Sequence, residues 1–243
     1  ITQGAPITLT KTQTNVSCNG GSNGSIAITS ASTPVTSYLW SSGQIGNLVN
    51  NLSAGVYTVT AVGANGCEGV FSYTITEPSA LSVTLTQTNS IACYGDGDGR
   101  LQATATGGTP NYSYAWSHGA SGVIANNLIP GNYTVTVTDS KGCKATASQA
   151  ITQPPLLTIV GNPTGVLCTG DETGIIVAYG TGGTVTSGLL QYSIDGTTWQ
   201  TGNIFAGLGA GIYTLSVRDQ NGCVSDTTVV VEDADPFFIT TML

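Results

Sequence analysis

Apolar and polar residues alternate in short segments along this chain. In YTVTVTD (residues 133–139), Tyr133, Val135 and Val137 alternate with threonines, which places apolar side chains on one face of a strand and hydroxyls on the other. Nothing sustains a period of 3.6 residues over a window of helical length. Short strands separated by turn residues about every ten positions predict an all-β fold of the β-sandwich type.

One phrase containing this alternation occurs three times. The copies LSAGVYTVTAVGANGC, LIPGNYTVTVTDSKGC and LGAGIYTLSVRDQNGC end at Cys67, Cys143 and Cys223. Upstream of each copy, a Gly-rich polar segment carries another cysteine, at Cys18, Cys93 and Cys168. A period of about 75 residues is too long for a solenoid unit and suits a small self-contained domain.

The Leu-x-x-Gly-x-Tyr part of the phrase predicts a core element. In immunoglobulin-like sandwiches, a tyrosine after a tight turn packs on the core and bonds its hydroxyl back to the backbone, forming a tyrosine corner. We assign this structural role to Tyr57, Tyr133 and Tyr213. Trp40 and Trp116, which stand at matching places in SYLWSSG and SYAWSHG, are predicted to be core aromatics.

The third copy differs, because it inserts a hairpin at Asp195 and Gly196 that carries Trp199. This tryptophan is a possible contact for a sugar or a protein partner. The interpretation we favour is that it packs across its own hairpin.

The fold class predicted is a tandem array of three immunoglobulin-like β-sandwich repeats of about 75 residues. The predicted boundaries are 7–78, 79–154 and 155–233, with 1–6 as the end of a preceding repeat or a linker and 234–243 as a link into a following repeat. Prolines at Pro78, Pro154 and Pro155 favour short stiff links between the repeats. The sequence is therefore expected to be a segment of a longer repetitive chain.

Two cysteines per repeat predict one disulfide inside each repeat. The expected pairs are Cys18–Cys67, Cys93–Cys143 and Cys168–Cys223, and free buried thiols are the alternative. Closing a loop of ~50 residues would stabilise a domain by about 4 kcal/mol, which for a domain this small could be much of its net stability. Disulfides would also place the protein outside the reducing cytosol.

Composition and charge argue against several functional classes. Only 7% of the residues are charged, and the net charge of -8 with five Lys and Arg argues against a nucleic-acid partner. With His118 as the single histidine and no CxxC pair, a zinc site would lack ligands. No apolar run approaches the ~20 residues that span a bilayer. We predict no cofactor, no catalytic residues and no enzymatic activity.

Acidic Gly-rich turns are weak candidates for calcium sites. Asp96 and Asp98 in GDGDG, and Asp171 and Glu172 in GDETG, carry the oxygen ligands that calcium prefers. Repeat 1 has GGSNG in the same place, and such turns need no metal. Our principal expectation is therefore that no metal binds.

The repeats share a composite pattern of C-x-G-x-x-x-G, G-G-T-P-x-Y-x-Y-x-W, L-x-x-G-x-Y-x-V-x-V-x-D-x-x-G-C and I-x-x-P. Repeat 2 follows it almost throughout, from Cys93 to Pro154. Repeat 1 has SASTPVTSY instead of the Gly-Gly-Thr-Pro segment and Gly63 in place of the aspartate, whereas repeat 3 keeps Gly182 and Gly183 without the proline. The pattern resembles the repeat of SprB-type gliding and surface adhesins of Bacteroidota.

The resemblance implies a stalk segment of a very long adhesin filament. Such a filament is exported by type IX secretion, attached extracellularly to the outer membrane, and used for cell adhesion and, in gliding species, motility. Implied partners are further repeats of the same chain, a surface polysaccharide or substratum, and, through other regions, the secretion and motility machinery. A glycan-binding module array and an accessory β-sandwich region of a secreted enzyme are the alternatives.

Overall fold

The computed structural model describes residues 6–185 and 188–235, and within these ranges the regular elements are eighteen β-strands. In chain order they are β1 (Leu9–Thr14), β2 (Gly24–Ala31), β3 (Val35–Trp40), β4 (Leu48–Leu52), β5 (Gly55–Gly63), β6 (Glu68–Ile75), β7 (Ser82–Asn89), β8 (Gly99–Thr106), β9 (Ser113–Trp116), β10 (Ile124–Leu128), β11 (Gly131–Thr138), β12 (Lys144–Ile151), β13 (Thr158–Thr164), β14 (Gly174–Thr181), β15 (Gln191–Ser193), β16 (Ile204–Leu208), β17 (Gly211–Arg218) and β18 (Val224–Val231). The described residues contain no helix suited to crossing a membrane.

Each group of six consecutive strands forms two sheets of three strands. The first, second and fourth strands of a group make one sheet, as in β1-β2-β4, and the third, fifth and sixth make the other, as in β3-β5-β6. The same order recurs as β7-β8-β10 with β9-β11-β12 and as β13-β14-β16 with β15-β17-β18. The predicted all-β fold with three immunoglobulin-like sandwich repeats is confirmed.

The alternation of the sequence fixes which side chains enter the core. On β11, Tyr133, Val135 and Val137 are buried, whereas the threonines between them are only half-buried. On β8, Leu101 and Ala103 are buried in the same way, whereas Gln102 between them is exposed. A strand with period-two alternation thus supplies one apolar face to the sandwich.

The chain divides into two compact units that do not coincide with the repeats. The first contains Ile1–Thr86, Gln102–Ala125 and Tyr133–Gln149, and the second Gln87–Leu101, Asn126–Asn132 and Ala150–Leu243. The first unit holds the core of repeat 1 around Trp40, and the second holds the core of repeat 3 around Leu215. The repeat boundaries drawn from the sequence remain a prediction. The expected flanking segments lie largely outside the described residues, at 1–5 and 236–243.

Candidate functional site: the disulfide-linked junctions between repeats

Both disulfides join one repeat to the next. Cys18 is bonded to Cys143, with Cα atoms 5.7 Å apart, and Cys93 is bonded to Cys223, with Cα atoms 5.6 Å apart. The expectation of one disulfide within each repeat is therefore wrong, and so are the pairs Cys18–Cys67, Cys93–Cys143 and Cys168–Cys223. Cys67 and Cys168 carry free thiols, which are exposed rather than buried.

The two cysteines of one repeat lie at opposite ends of the same strand. Cys67 directly precedes β6, whereas Cys18 lies near the far end of β6, where Val16 N–H donates to the carbonyl of Thr76 at 3.0 Å. The eight residues of β6 span about 25 Å. A disulfide requires Cα atoms within about 7 Å, so the pairing inside a repeat is geometrically excluded.

The loop that carries the first cysteine of a repeat lies beside the segment that connects the same repeat to the next one. This arrangement brings successive repeats together. Gly20 N–H donates to the Glu77 carboxylate at 2.6 Å, just before Pro78. At the second junction, Gly95 N–H donates in the same way to the side-chain oxygen of Gln153 at 2.9 Å. The loop is thereby held next to the start of the following repeat.

The second-cysteine hairpin is held by a buried aspartate in repeats 2 and 3. The Oδ1 atom of Asp139 accepts N–H bonds from Lys141 and Cys143, both at 2.9 Å, and its Oδ2 accepts one from Thr109 at 2.8 Å. One side chain therefore ties the hairpin to the Gly-Gly-Thr turn beside it.

Repeat 3 has the same arrangement, a carboxylate clamp in which one oxygen accepts two N–H bonds of the hairpin and the other accepts one from the neighbouring turn. Asp219 accepts from Asn221 at 2.9 Å, from Cys223 at 3.0 Å and from Thr184 at 2.7 Å. The same hairpin also reaches across the second junction, because Asn221 Nδ2 donates to the carbonyl of Ala92 at 2.8 Å.

Repeat 1 uses a different residue to accept the N–H of its second cysteine. Its Gly63 stands where the other repeats have aspartate, and Asn65 Oδ1 accepts the Cys67 N–H at 3.1 Å. A Cβ atom at Gly63 would lie 2.9 Å from that oxygen. The absence of a side chain at Gly63 thus makes room for the side chain of Asn65.

The clamp should make stability depend on pH. The pKa of the Asp139 carboxyl is held below its usual value, chiefly by the Thr109 N–H and further by those of Cys143 and Lys141, although burial opposes this. Because the pKa is lower in the folded state, the stabilisation is complete above the unfolded pKa of about 3.9 and is lost as the pH falls through the folded value.

We expect Asp139→Asn to be less stable than the wild type at pH 7, with a difference that shrinks below pH ~4. Denaturant unfolding from pH 7 to pH 2.5 measures this difference. Asp96→Asn, the same change at an exposed carboxylate, is the control. A difference between Asp139→Asn and the wild type that is independent of pH would contradict the role of the charge.

The linker between repeats lies against the Gly-Gly dipeptide. Gly108 N–H donates to the carbonyl of Ser79 at 2.8 Å, and a Cβ atom on Gly107 would lie 2.0 Å from the carbonyl oxygen of Ala80. The φ angles are positive at both positions, +74° at Gly107 and +60° at Gly108. The dipeptide is therefore needed for backbone conformation and for close approach of the linker at once.

The acidic turns proposed as calcium candidates have a structural role. A side-chain oxygen of Asn23, Asp98 or Thr173 accepts the N–H of the residue just before the first cysteine, at 2.9, 3.4 and 2.9 Å. Asp96 and Asp171 instead donate their own N–H groups to the carbonyls of Cys93 and Cys168. Glu172 is exposed. Within the described ranges, no group of three or more His, Cys, Asp and Glu is arranged to hold a metal ion.

The repeated aromatic residues lie where a sandwich core requires them. Tyr57 Oη donates to the carbonyl of Ser53 at 3.0 Å, and Tyr213 Oη to that of Gly209 at 2.9 Å, which is tyrosine-corner geometry. Tyr133 is buried.

The two predicted core tryptophans are each buried and each donate an indole N–H to a backbone carbonyl. Trp40 donates to Gly46 and Trp116 to Gly122, both at 2.9 Å. A polar handle satisfied in this way lets the ring enter an apolar core.

Sequence comparison finds a known repeat in the first half of this chain. The sequence model of the SprB repeat matches residues 10–45 and 85–121. The chain thus matches the SprB repeat twice. Each matched segment contains a first cysteine and a core tryptophan, and the resemblance found in the sequence is confirmed. No curated protein matches this chain significantly.

Several solved structures are similar in fold. The three N-terminal domains of the Highly Immunogenic Outer Capsid protein of bacteriophage RB49 have 16% identity over 93% of this chain and 95% of theirs, with a TM-score of 0.44. A Dscam structure has 13% identity over 96% and 74%, with a TM-score of 0.31. A 282-residue C-terminal fragment of intimin, solved in complex with the intimin-binding domain of its receptor Tir, has 16% identity over 65% and 67%, with a TM-score of 0.34. At these scores, the likenesses say nothing about function.

Trp199 lies outside both SprB matches, in the hairpin specific to repeat 3. It is half-buried, and the guanidinium of Arg218 lies 4.4 Å from its ring centroid. The indole lines an open groove of about 620 Å³ together with Tyr213, Asp195 and Asp226. The ring thus contacts the neighbouring strand β17 while part of its surface faces the groove.

Asp195 shapes the same hairpin. Its Oδ1 accepts N–H bonds from Thr198 at 2.7 Å and Thr197 at 2.8 Å and the hydroxyl of Ser193 at 2.9 Å. The Thr198 N–H contributes most to holding the pKa of this carboxyl well below its usual range. The groove therefore presents a carboxylate that stays ionised at neutral pH.

Proposed function

We propose that this chain is a load-carrying stalk segment of a secreted cell-surface adhesin. The matched SprB repeats and the disulfides indicate an extracellular, adhesin-like repeat module. The finer features, attachment to the outer membrane, type IX secretion in Bacteroidota and a role in gliding, are those of the SprB-type adhesins that the repeat resembles. Further repeats and a surface polysaccharide or substratum are the proposed partners.

The observation that carries the proposal is the double covalent connection at each junction. Repeat 1 is joined to repeat 2 by the linker at Pro78 and again by the Cys18–Cys143 disulfide. Repeat 2 is joined to repeat 3 by the linker at Pro154 and again by Cys93–Cys223. A single linker would allow one repeat to pivot on the next. Two separate connections, with the linker packed against the Gly-Gly dipeptide, resist bending and pulling.

The second connection should determine how long the chain withstands force. Held at constant force in a single-molecule instrument, the double variant Cys18→Ser/Cys143→Ser is expected to unfold at least about tenfold sooner than the wild type. Removing a disulfide typically costs 2–5 kcal/mol, and part of that loss speeds unfolding. The double variant Cys67→Ser/Cys168→Ser removes the free thiols without touching a junction and is the matched control. Equal lifetimes for the junction variant and the wild type would contradict a load-carrying role.

A glycan-binding array is the second candidate, and the groove at Trp199 favours it. A half-buried indole beside the ionised carboxylate of Asp195 is a surface on which a sugar ring can stack and donate hydroxyl hydrogen bonds. Binding on a glycan array that disappears in Trp199→Ala, with the melting temperature unchanged, would favour this function over the stalk. An accessory role in a secreted enzyme has no supporting observation among the described residues.

A further inference from the structure

The two free cysteines correspond to cysteines that are bonded elsewhere in the same molecule. Cys67 ends its copy of the repeated phrase as Cys143 and Cys223 end theirs. Cys168 occupies the first-cysteine position, as Cys18 and Cys93 do. All four equivalents form disulfides across a junction, and each disulfide uses one cysteine of each kind.

The loop of Cys168 already has the conformation of the bonded first-cysteine loops. Asp171 N–H donates to the carbonyl of Cys168 at 3.0 Å, as Asp96 N–H does to that of Cys93 at 3.2 Å. Gly170 has a φ of +87°, the same value as Gly95. The loop therefore needs no rearrangement to take part in a junction.

The hairpin of Cys67 likewise has the conformation of the bonded hairpins. Gly63 N–H donates to the carbonyl of Cys67 at 2.8 Å, and Gly66 N–H donates back to Gly63 at 2.9 Å. Asp139 and Gly142 make the same two bonds around Cys143, at 3.0 and 3.1 Å. The φ values of Gly66 and Gly142 are +78° and +84°.

Exposure separates the bonded cysteines from the free ones. The four in disulfides are half-buried, because each is covered by the adjoining repeat, whereas Cys67 and Cys168 are exposed. The two free thiols thus lie on segments that have the conformation of a junction half and are exposed.

We propose that Cys67 and Cys168 form the same junction disulfide with further repeats of this kind. Cys168 pairs with a hairpin cysteine of the Cys67 type, and Cys67 pairs with a loop cysteine of the Cys168 type. The contact is heterologous, so it joins repeats head to tail and not as a symmetric pair. Each repeat would then be bonded to both of its neighbours, and the inference holds whether the array carries load or binds glycans.

The chemistry requires an oxidant that donates a disulfide, such as oxidised glutathione. The thiolate of Cys168 attacks one sulfur of that oxidant, releases one thiol and leaves a mixed disulfide. The Cys67 thiolate of the second repeat then attacks the Cys168 sulfur and releases the second thiol. Two protein thiols are oxidised, one small disulfide is reduced to two thiols, and both protons pass to the solvent or to the released thiols.

The test uses a second copy of this chain as the source of the missing half. The chain is incubated with oxidised glutathione at high protein concentration and analysed on non-reducing gels and by peptide mapping. We expect a series of bands at multiples of the chain mass that collapses on reduction, with Cys67–Cys168 as the peptide cross-link between copies.

Two single variants determine the polarity of the contact. Cys67→Ser and Cys168→Ser, each alone, are expected to stay monomeric, and their mixture is expected to stop at one heterodimer. Both keep the Cys18–Cys143 and Cys93–Cys223 disulfides, which mass mapping verifies.

Three results would overturn the proposal. The first is that either single variant forms homodimers in amounts equal to the heterodimer. The second is that the wild-type chain stays monomeric with both thiols capped by glutathione. The third is that Cys67 and Cys168 bond to each other within one copy. None of these affects the force measurement on the two internal junctions, so the stalk function stands or falls separately.

Discussion

Under force, the fully unfolded oxidised chain is expected to extend between Cys18 and Cys223 about a quarter as far as the reduced chain. With both disulfides intact, tension passes from Cys18 to Cys143, back along the chain to Cys93, and across to Cys223. Only the ~50 residues between Cys93 and Cys143 are then stretched, roughly 170 Å of extended chain. Reduction frees about 205 residues, or roughly 700 Å.

Single-molecule stretching with handles at the chain ends, with and without reductant, measures these lengths. The segments outside the two outer cysteines add the same length in every case. Cys67→Ser is the control that tests the pairing itself, because it should leave the oxidised extension unchanged. If disulfides formed inside repeats, Cys67→Ser would instead roughly double the extension, since about 50 further residues would be released. Such a doubling would contradict the junction disulfides.

The sequence predicted the fold well because each sandwich is encoded locally. The alternation at Tyr133, Val135 and Val137 predicts a strand with one buried face, and the phrase around Tyr57 predicts a tyrosine corner. These features depend on neighbouring residues within one repeat, so the pattern of side chains is sufficient to identify them.

The disulfide pairing was wrong because it depends on which ends of different repeats meet. Spacing along the chain brings Cys18 and Cys67 within one repeat, yet β6 holds them at opposite ends of a strand. A signal was present in the sequence: one cysteine precedes the Gly-rich turn that leads into an early strand, and the other opens the last strand. In a tandem array, the end of one repeat adjoins the start of the next, so these positions are compatible with pairing across the junction.

The junction clamp was visible in the sequence only as a pattern without a role. The aspartate of D-x-x-G-C and the Gly-Gly-Thr segment are both part of the repeated pattern, but their connection through Asp139 Oδ2 and the Thr109 N–H joins residues thirty positions apart. No local rule predicts such a contact. The glycine substitution in repeat 1 at Gly63, together with the loss of Gly-Gly-Thr there, was the available hint that the two segments change together.

Replacing Gly182 by alanine is expected to lower the free energy of unfolding by about 4 kcal/mol. Gly182 has a φ of +84°, and a Cβ atom on it would lie 1.9 Å from the carbonyl oxygen of Leu156 in the linker. Positive φ alone costs an alanine roughly 1–2 kcal/mol. The clash adds roughly 2–3 kcal/mol, because the atom in the way is backbone, held by Gly183 N–H bonding to the Pro155 carbonyl at 3.0 Å.

Gly222→Ala separates the two contributions. Gly222 also has a φ of +84°, but nothing lies within 4 Å of the Cβ position, so this substitution should cost only the roughly 1–2 kcal/mol of backbone strain. Denaturant unfolding of both variants, with the junction disulfides intact, measures the difference. A loss that is larger at Gly182 means that the linker is held against the Gly-Gly dipeptide and that this contact helps to fix the junction. Equal losses would mean that the linker moves aside freely, and the disulfide alone would then have to hold successive repeats together.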